Sequence, residues 1–573
     1  MSATLPMAIA KVQIMTSFED AVLRLNSRNL PFLWKLCSYL SCIELFGRED
    51  SPIFPLWNCE TERVLCDAVL SSKAASYKSA SFTLDDLRYV INAAHAALDD
   101  PRLKLEVQSG GERSEMLYQL RRFIARTGNV QLRPQEPRLF MTAGRLLAMF
   151  SILPRESLDE FPAKHRALAQ SMPDEVENAL GGSIFDHFLI HRSLWSHYRA
   201  ISRRAFTYLA NDPPSRQAKL ERPEECQVRF FNQLLTFFAS IEDELQFSAD
   251  RLKQITPSIV SADTVESYLS LFARRTLALR KLSREDAYNY GPVGWRLSPL
   301  ERFPIVDLAD GSRSFCAPNI RTFLNSFADV IHFTLQDALG VRRYNTFRGA
   351  AQEVFLHHLL RDKLSLRQLI PERPYKKALC EVRGPDLTLV EEPEPSLILV
   401  ESKARRLLAE TRFTMTDESV DRNFDDAYAA LLKLPGKVAD LRRGLPEYSD
   451  VQADLDVAMG SQPFAVVVLG EAAYMITELL RYRAENYANH PLHHYPFPFF
   501  VMAPHTFELA VEIASQEGRP LRDVLADFWE DSEHLEIADP MPESFRGKGL
   551  SEWTTFAAAF LKPLLRGAGL TVE

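Results

Sequence analysis

The chain has 573 residues, more than the roughly 250–300 at which a single hydrophobic core stops growing, so two or three domains are expected. Hydrophobic residues make up 46% and charged residues 25%, a globular balance that excludes a mainly disordered chain. The formal net charge of −9 excludes a protein that coats nucleic acid through overall basicity, so any such contact must be a local basic groove.

Met1 to Met15 lacks a basic stretch followed by a long apolar core, so it does not read as a secretory signal. No apolar run approaches the roughly 20 residues needed to span a membrane. The seven Cys are scattered, and the closest group, Cys37, Cys42, Cys59 and Cys66, contains no CxxC pair. Buried reduced thiols are the expected reading, in preference to zinc. A cytoplasmic protein without a membrane partner is the expectation.

Residues 1–290 read as a mostly α-helical region. Thr83 precedes an acidic first turn, and Leu87, Val90, Ile91, Ala94 and Leu98 follow at three- and four-residue spacing. The same spacing recurs at Leu117, Leu120, Phe123 and Ile124, from Phe230 to Ile241, and at Val265, Tyr268, Leu271 and Phe272. The Asp212-Pro213-Pro214-Ser215 stretch marks a break near 211–215 that would separate two subdomains. No internal repeat is evident. Such a region suits sensing, a partner protein or homo-oligomer formation.

Residues 291–340 read as a connector. Gly, Pro and Ser turns flank a short strand at Ile305–Leu308, and a helix is expected over 320–339. Residues 341–573 then alternate. Helices are expected at 349–364, 421–441 and 472–487, with Pro435 kinking or ending the second one. Strands are expected at Ala378–Val382, Asp386–Val390, Leu397–Glu401, Phe464–Leu469 and Phe499–Met502. The order α-β-β-β-α-β describes an α/β domain with a mixed sheet and helices on its faces. Phe464–Leu469 is apolar throughout, as a strand buried on both faces requires.

Within that domain stand Pro385-Asp386 at the opening of one strand and Glu401-Ser402-Lys403 at the close of the next, with fifteen residues separating the two carboxylates. Side chains two apart on a strand share a face, so Glu401 and Lys403 point together and Ser402 points away. Glu391 to Pro395 has the length and polarity of a hairpin loop, and antiparallel pairing brings Asp386 beside Glu401. Two carboxylates so placed suit Mg²⁺, which takes oxygen ligands and keeps several waters. The Ser402 carbonyl is a further candidate ligand.

This constellation resembles the PD-(D/E)XK nuclease superfamily, the restriction-endonuclease-like enzymes, over about residues 340–510. The resemblance implies an αβββαβ core and a Mg²⁺-dependent phosphodiesterase, with Mn²⁺ able to substitute. It assigns Asp386, Glu401 and Lys403 as catalytic, and Asp386, Glu401 and Ser402 as metal ligands. Glu353, on a helix reading Arg348-Gly349-Ala350-Ala351-Gln352-Glu353, matches the auxiliary metal-site carboxylate of the first helix. His357 lies one turn further on, and packing is its expected role.

The implied partner is nucleic acid, double-stranded DNA first, in a bacterial anti-phage or restriction-type defence role. An inactive nuclease fold serving as a nucleic-acid-binding scaffold, and a nuclease acting on RNA, are the alternatives. Arg405, Arg406, Lys376 and Lys377 are candidate phosphate contacts, and Arg342-Arg343 is a weaker one. His490 and His494 read as surface residues of a Pro-rich loop. No GxxxxGK[ST], GxGxxG, HExxH or GxSxG motif occurs.

Overall fold

The computed structural model describes residues 17–46, 59–98, 136–211, 223–285, 298–308, 313–377, 380–404, 417–470, 480, 484, 490–531 and 555–570. Helices predominate among them. The chain divides into two compact units, Met1–Gln135 with Leu180–Thr334, and Glu136–Ala179 with Leu335–Glu573. Leu117, Leu120, Phe123 and Ile124 lie outside the described residues, as do Met1 to Met15 and 212–215, where a break was expected.

The first unit is built from helices. In the helix Leu84–Leu98, Thr83 Oγ1 accepts from Asp86 N at 3.3 Å, and Asp86 returns the bond to Thr83 N at 2.8 Å. These reciprocal bonds satisfy two N–H groups that the helix itself leaves unpaired at its start. Trp34, Tyr39, Tyr198 and Tyr268 are among the largest fully buried side chains. Trp34 Nε1 donates to Thr276 Oγ1 at 2.9 Å and Tyr198 Oη to the Leu245 carbonyl at 3.2 Å. Cys37, Cys42, Cys66 and Cys316 are free and buried. The strands β1 (Ala273–Arg275), β2 (Ile305–Asp307) and β3 (Phe315–Cys316) form a small sheet, with β1 parallel and β3 antiparallel to β2. Ile305, Val306 and Cys316 are fully buried, so this hairpin belongs to the core of the unit. The helix expected over 320–339 is two helices, Ile320–Asn325 and Phe327–Leu339, parted at Ser326.

The second unit carries a five-stranded mixed sheet in the order β10-β9-β8-β7-β4. Its strands are β4 (Leu366–Pro371), β7 (Leu387–Glu391), β8 (Leu397–Lys403), β9 (Phe464–Leu469) and β10 (Phe499–Met502). The strands β4, β7 and β8 pair antiparallel, while β8, β9 and β10 run parallel. Every residue of β9 is buried, as its apolar run predicts. The helices Val341–Lys363, Asp417–Arg442 and Pro504–Glu517 pack against the sheet.

Three expectations need correction. The strand expected at Ala378–Val382 is not the neighbour of β7. Cys380–Arg383 is β6, which pairs with β5 (Pro374–Lys377) as a separate two-stranded ribbon. The neighbour of β7 is β4, an edge strand whose exposure does not alternate cleanly. No residue of β6 is buried, so it has no apolar face to give the sheet. Second, the helix Asp417–Arg442 runs through Pro435. Proline frees the carbonyl four residues back, and the Tyr495 hydroxyl donates to that Leu431 carbonyl at 2.8 Å. Third, Glu391 is not a solvated loop residue but is 1% exposed. Its carboxylate accepts from Leu521 N at 2.5 Å, Arg522 N at 3.1 Å and Ser396 Oγ at 2.8 Å, capping the helix Leu521–Asp531.

Candidate active site

The edge of the sheet where β7 begins and β8 ends gathers the acidic residues. The register pairs Leu387 with Val400 and Val390 with Leu397, and one step further places Asp386 opposite Glu401. The chain bends at Asp386, and two backbone bonds to residues 372–373 hold that bend. Gly384 N donates to the Arg373 carbonyl at 3.0 Å, and Glu372 N donates to the Asp386 carbonyl at 2.9 Å. A Cβ on Gly384 would run into the Tyr448 hydroxyl, so this position needs glycine for space.

The side chains then meet as alternation requires. Asp386 Oδ2 accepts from Ser402 N at 2.7 Å. Lys403 Nζ donates to Glu401 Oε2 at 2.8 Å and lies 3.7 Å from Asp386 Oδ2, so one ammonium spans both carboxylates. Ser402 Oγ, on the opposite face, is buried without a hydrogen-bond partner. Burial and the neighbouring Glu401 carboxylate push Asp386 up to about 6, against Lys403 and the Ser402 N–H, which pull it down. Burial opposes charge on Lys403, but Asp386 and Glu401 outweigh it and hold its ammonium above the ordinary lysine value. In this state Lys403 is a charge and a proton donor, not a base.

Glu353, on the helix Val341–Lys363, senses the same cluster. Burial, then Asp386 and Glu372, push its carboxyl up to about 8. No hydrogen bond or ion pair holds it among the described residues, and no three or more His, Cys, Asp or Glu side chains converge there as a metal-ion group. The donor chemistry nonetheless fits a hard divalent cation, with carboxylate oxygens from Asp386 and Glu401 and a carbonyl at Ser402. Mg²⁺ is commonly bound by one or two carboxylates with water completing its shell.

Sequence reasoning missed Lys437. It projects from the helix Asp417–Arg442 and donates to Glu401 Oε1 at 2.6 Å and to the Gly384 carbonyl at 2.8 Å. Both oxygens of Glu401 are thus held by ammonium groups. Nothing in the local pattern around Lys437 marks it, because its partners lie 36 and 53 residues away.

The remaining candidates are dispersed. Lys377 is tied to Asp440 at 2.8 Å, while Lys376 is exposed and faces Glu381 across the ribbon. Arg405 and Arg406 lie outside the described residues. Arg343 pairs with Glu175. His357 sits away from the carboxylate pair, with its Nδ1 3.1 Å from Glu160 Oε2, a carboxylate shared with His358 and Arg361. His494 lies in a turn with φ of 63°, so the two histidines are not aligned on a helix. No protein-family model, curated protein or solved structure matches this chain.

Proposed function

We propose that the second unit is a metal-dependent phosphodiesterase, a nuclease of the PD-(D/E)XK type acting on DNA. The observation that carries this reading is one ammonium, Lys403 Nζ, set between Glu401 at 2.8 Å and Asp386 at 3.7 Å on adjacent strand ends. Elsewhere in this unit cations are shared by two carboxylates at the surface, Arg155 by Asp174 and Glu177 and Arg519 by Glu517 and Asp527. Here the two carboxylates that share a cation are mostly buried, where like charges side by side are costly.

In this reading Asp386 and Glu401, with the Ser402 carbonyl, hold Mg²⁺ or Mn²⁺. Such an ion would supply charge against the phosphate oxygens and would acidify a bound water. Lys403 orients that water and offsets charge growing on the phosphate. The Ser402 N–H fixes the Asp386 carboxylate, and the bend held at Gly384 fixes the backbone that carries it. Glu353, its carboxyl pushed up to about 8, would release its proton when a cation lowers that value and then add a third carboxylate to the site.

A scaffold that binds nucleic acid without cutting is the second reading. It is favoured by Glu401 being paired at both oxygens. Plasmid and RNA cleavage in Mg²⁺ or Mn²⁺ separates the readings. Wild type should cut, and Asp386→Asn, Glu401→Gln and Lys403→Met should each lose on the order of a hundredfold or more in rate. Equal cutting by the three variants would sink the site assignment, while metal-independent binding without turnover would favour the scaffold.

A further inference from the structure

Resting on the metal-dependent reading above, we propose that Lys437 is a resident cation of the site, one that a divalent ion must displace from Glu401 in order to bind. The Glu401 side chain is only 6% exposed, and its two oxygens are divided between two ammonium groups, Lys403 on Oε2 and Lys437 on Oε1. Each oxygen keeps a second lone pair, but two positive charges beside the carboxylate repel a third, so a divalent ion binds well only when one of them leaves.

The two lysines are not equivalent. Lys403 lies on β8 itself, two residues from Glu401, and also reaches Asp386, so strand geometry keeps it at the cluster. Lys437 reaches in from a helix and has a second anchor, the Gly384 carbonyl at 2.8 Å. It can release Glu401 and still hold the bend at Asp386. Lys437 is therefore the cation to leave. Without metal it neutralises Glu401 and ties the start of β7 to the end of β8. When metal enters, its ammonium is freed at the mouth of the site while the bend stays fixed.

The role is separable from that of a strut. Lys437→Gln removes the charge but keeps an N–H donor for the Gly384 carbonyl, and Lys437→Met removes both. Full-length wild type, both variants and Glu401→Gln are titrated with Mn²⁺ by calorimetry, and melting is followed with and without the ion. Both Lys437 variants should bind Mn²⁺ roughly tenfold or more tightly than wild type, about 1.4 kcal/mol in binding. Each should melt lower than wild type without metal and recover at saturating Mn²⁺. Unchanged or weaker Mn²⁺ binding by Lys437→Gln overturns the proposal and leaves Lys437 a strut. If no protein shows Mn²⁺ binding that Glu401→Gln abolishes, the metal-dependent reading itself fails.

Discussion

Gly384→Ala tests whether the bend at Asp386 is what positions the site. The added methyl meets the Tyr448 hydroxyl and lies 3.1 Å from the Arg373 carbonyl. Tyr448 is 1% exposed and cannot simply swing away into solvent. Forcing one methyl into such packing costs about 1–3 kcal/mol. Tyr448→Phe alone removes only a long bond, 3.4 Å from its hydroxyl to the Arg373 carbonyl. That carbonyl still accepts from Gly384 N, so the cost should stay under about 1 kcal/mol. The double variant removes the atom that the methyl strikes. It should therefore be less destabilised than the sum of the singles, with a coupling of about 1 kcal/mol or more. Urea denaturation with hydrogen exchange over 387–403 reads the stability of this edge. Mn²⁺ binding reads the position of Asp386, which should weaken in Gly384→Ala and recover in part in the double variant. A double variant that costs the full sum of the singles would refute the steric account of Gly384.

Two further perturbations test buried charge elsewhere. Glu391→Ala strips the acceptor from Leu521 N, Arg522 N and Ser396 Oγ, and should cost about 3 kcal/mol or more, with faster hydrogen exchange over 521–531. Glu391→Gln keeps an acceptor and should cost about 1–2 kcal/mol. In the first unit, burial pulls His187 to about 4 and His191 to about 3 from the ordinary 6.5. The unfolded chain takes up protons on them below about 6.5 while the folded unit resists. Stability should therefore fall as pH drops from about 6.5 towards 4, by about 1.4 kcal/mol per pH unit for each histidine. Urea midpoints between pH 7.5 and 4.5 should show the loss, and His191→Phe should flatten it by about half; a midpoint independent of pH would contradict the buried neutral pair.

What was legible in the sequence is what short-range pattern controls. The strands Phe464–Leu469 and Phe499–Met502 follow from unbroken apolar runs bounded by turns. The pairing of β7 with β8 follows from the length of the loop between them, and with it the meeting of Asp386, Glu401 and Lys403. Long-range chemistry was not legible. Pro435 reads as a helix breaker until Tyr495, sixty-four residues after Leu431, satisfies the Leu431 carbonyl. Glu391 reads as loop because its partners Leu521 and Arg522 are 130 and 131 residues away. Edge strand β4 sends a weak signal because its exposure does not alternate cleanly, and β6 passes for a core strand although it is exposed. The grouping of Glu136–Ala179 with the second unit has no local signature at all.

The buried acids of the second unit divide into two kinds, and the division is what makes the β7–β8 edge stand apart. Glu391 is neutralised by two backbone N–H groups and a hydroxyl. Glu508 is paired with Arg145 and Glu512 with Lys363. Asp440 takes both Lys377 and the Tyr375 hydroxyl. Each of these carboxylates has its own donors, and deleting one partner should read out as stability. At the edge, by contrast, Lys403 is shared by Asp386 and Glu401, Lys437 is shared by Glu401 and a carbonyl, and Glu353 has no partner among the described residues. A raised carboxyl alone does not mark the edge, because burial also pushes Glu508 up to about 7; the sharing of its cations does. At the edge one cation is divided between two carboxylates, a second between a carboxylate and a carbonyl, and one carboxyl is pushed up to about 8, so these groups are shared in a way that the resident-cation proposal requires.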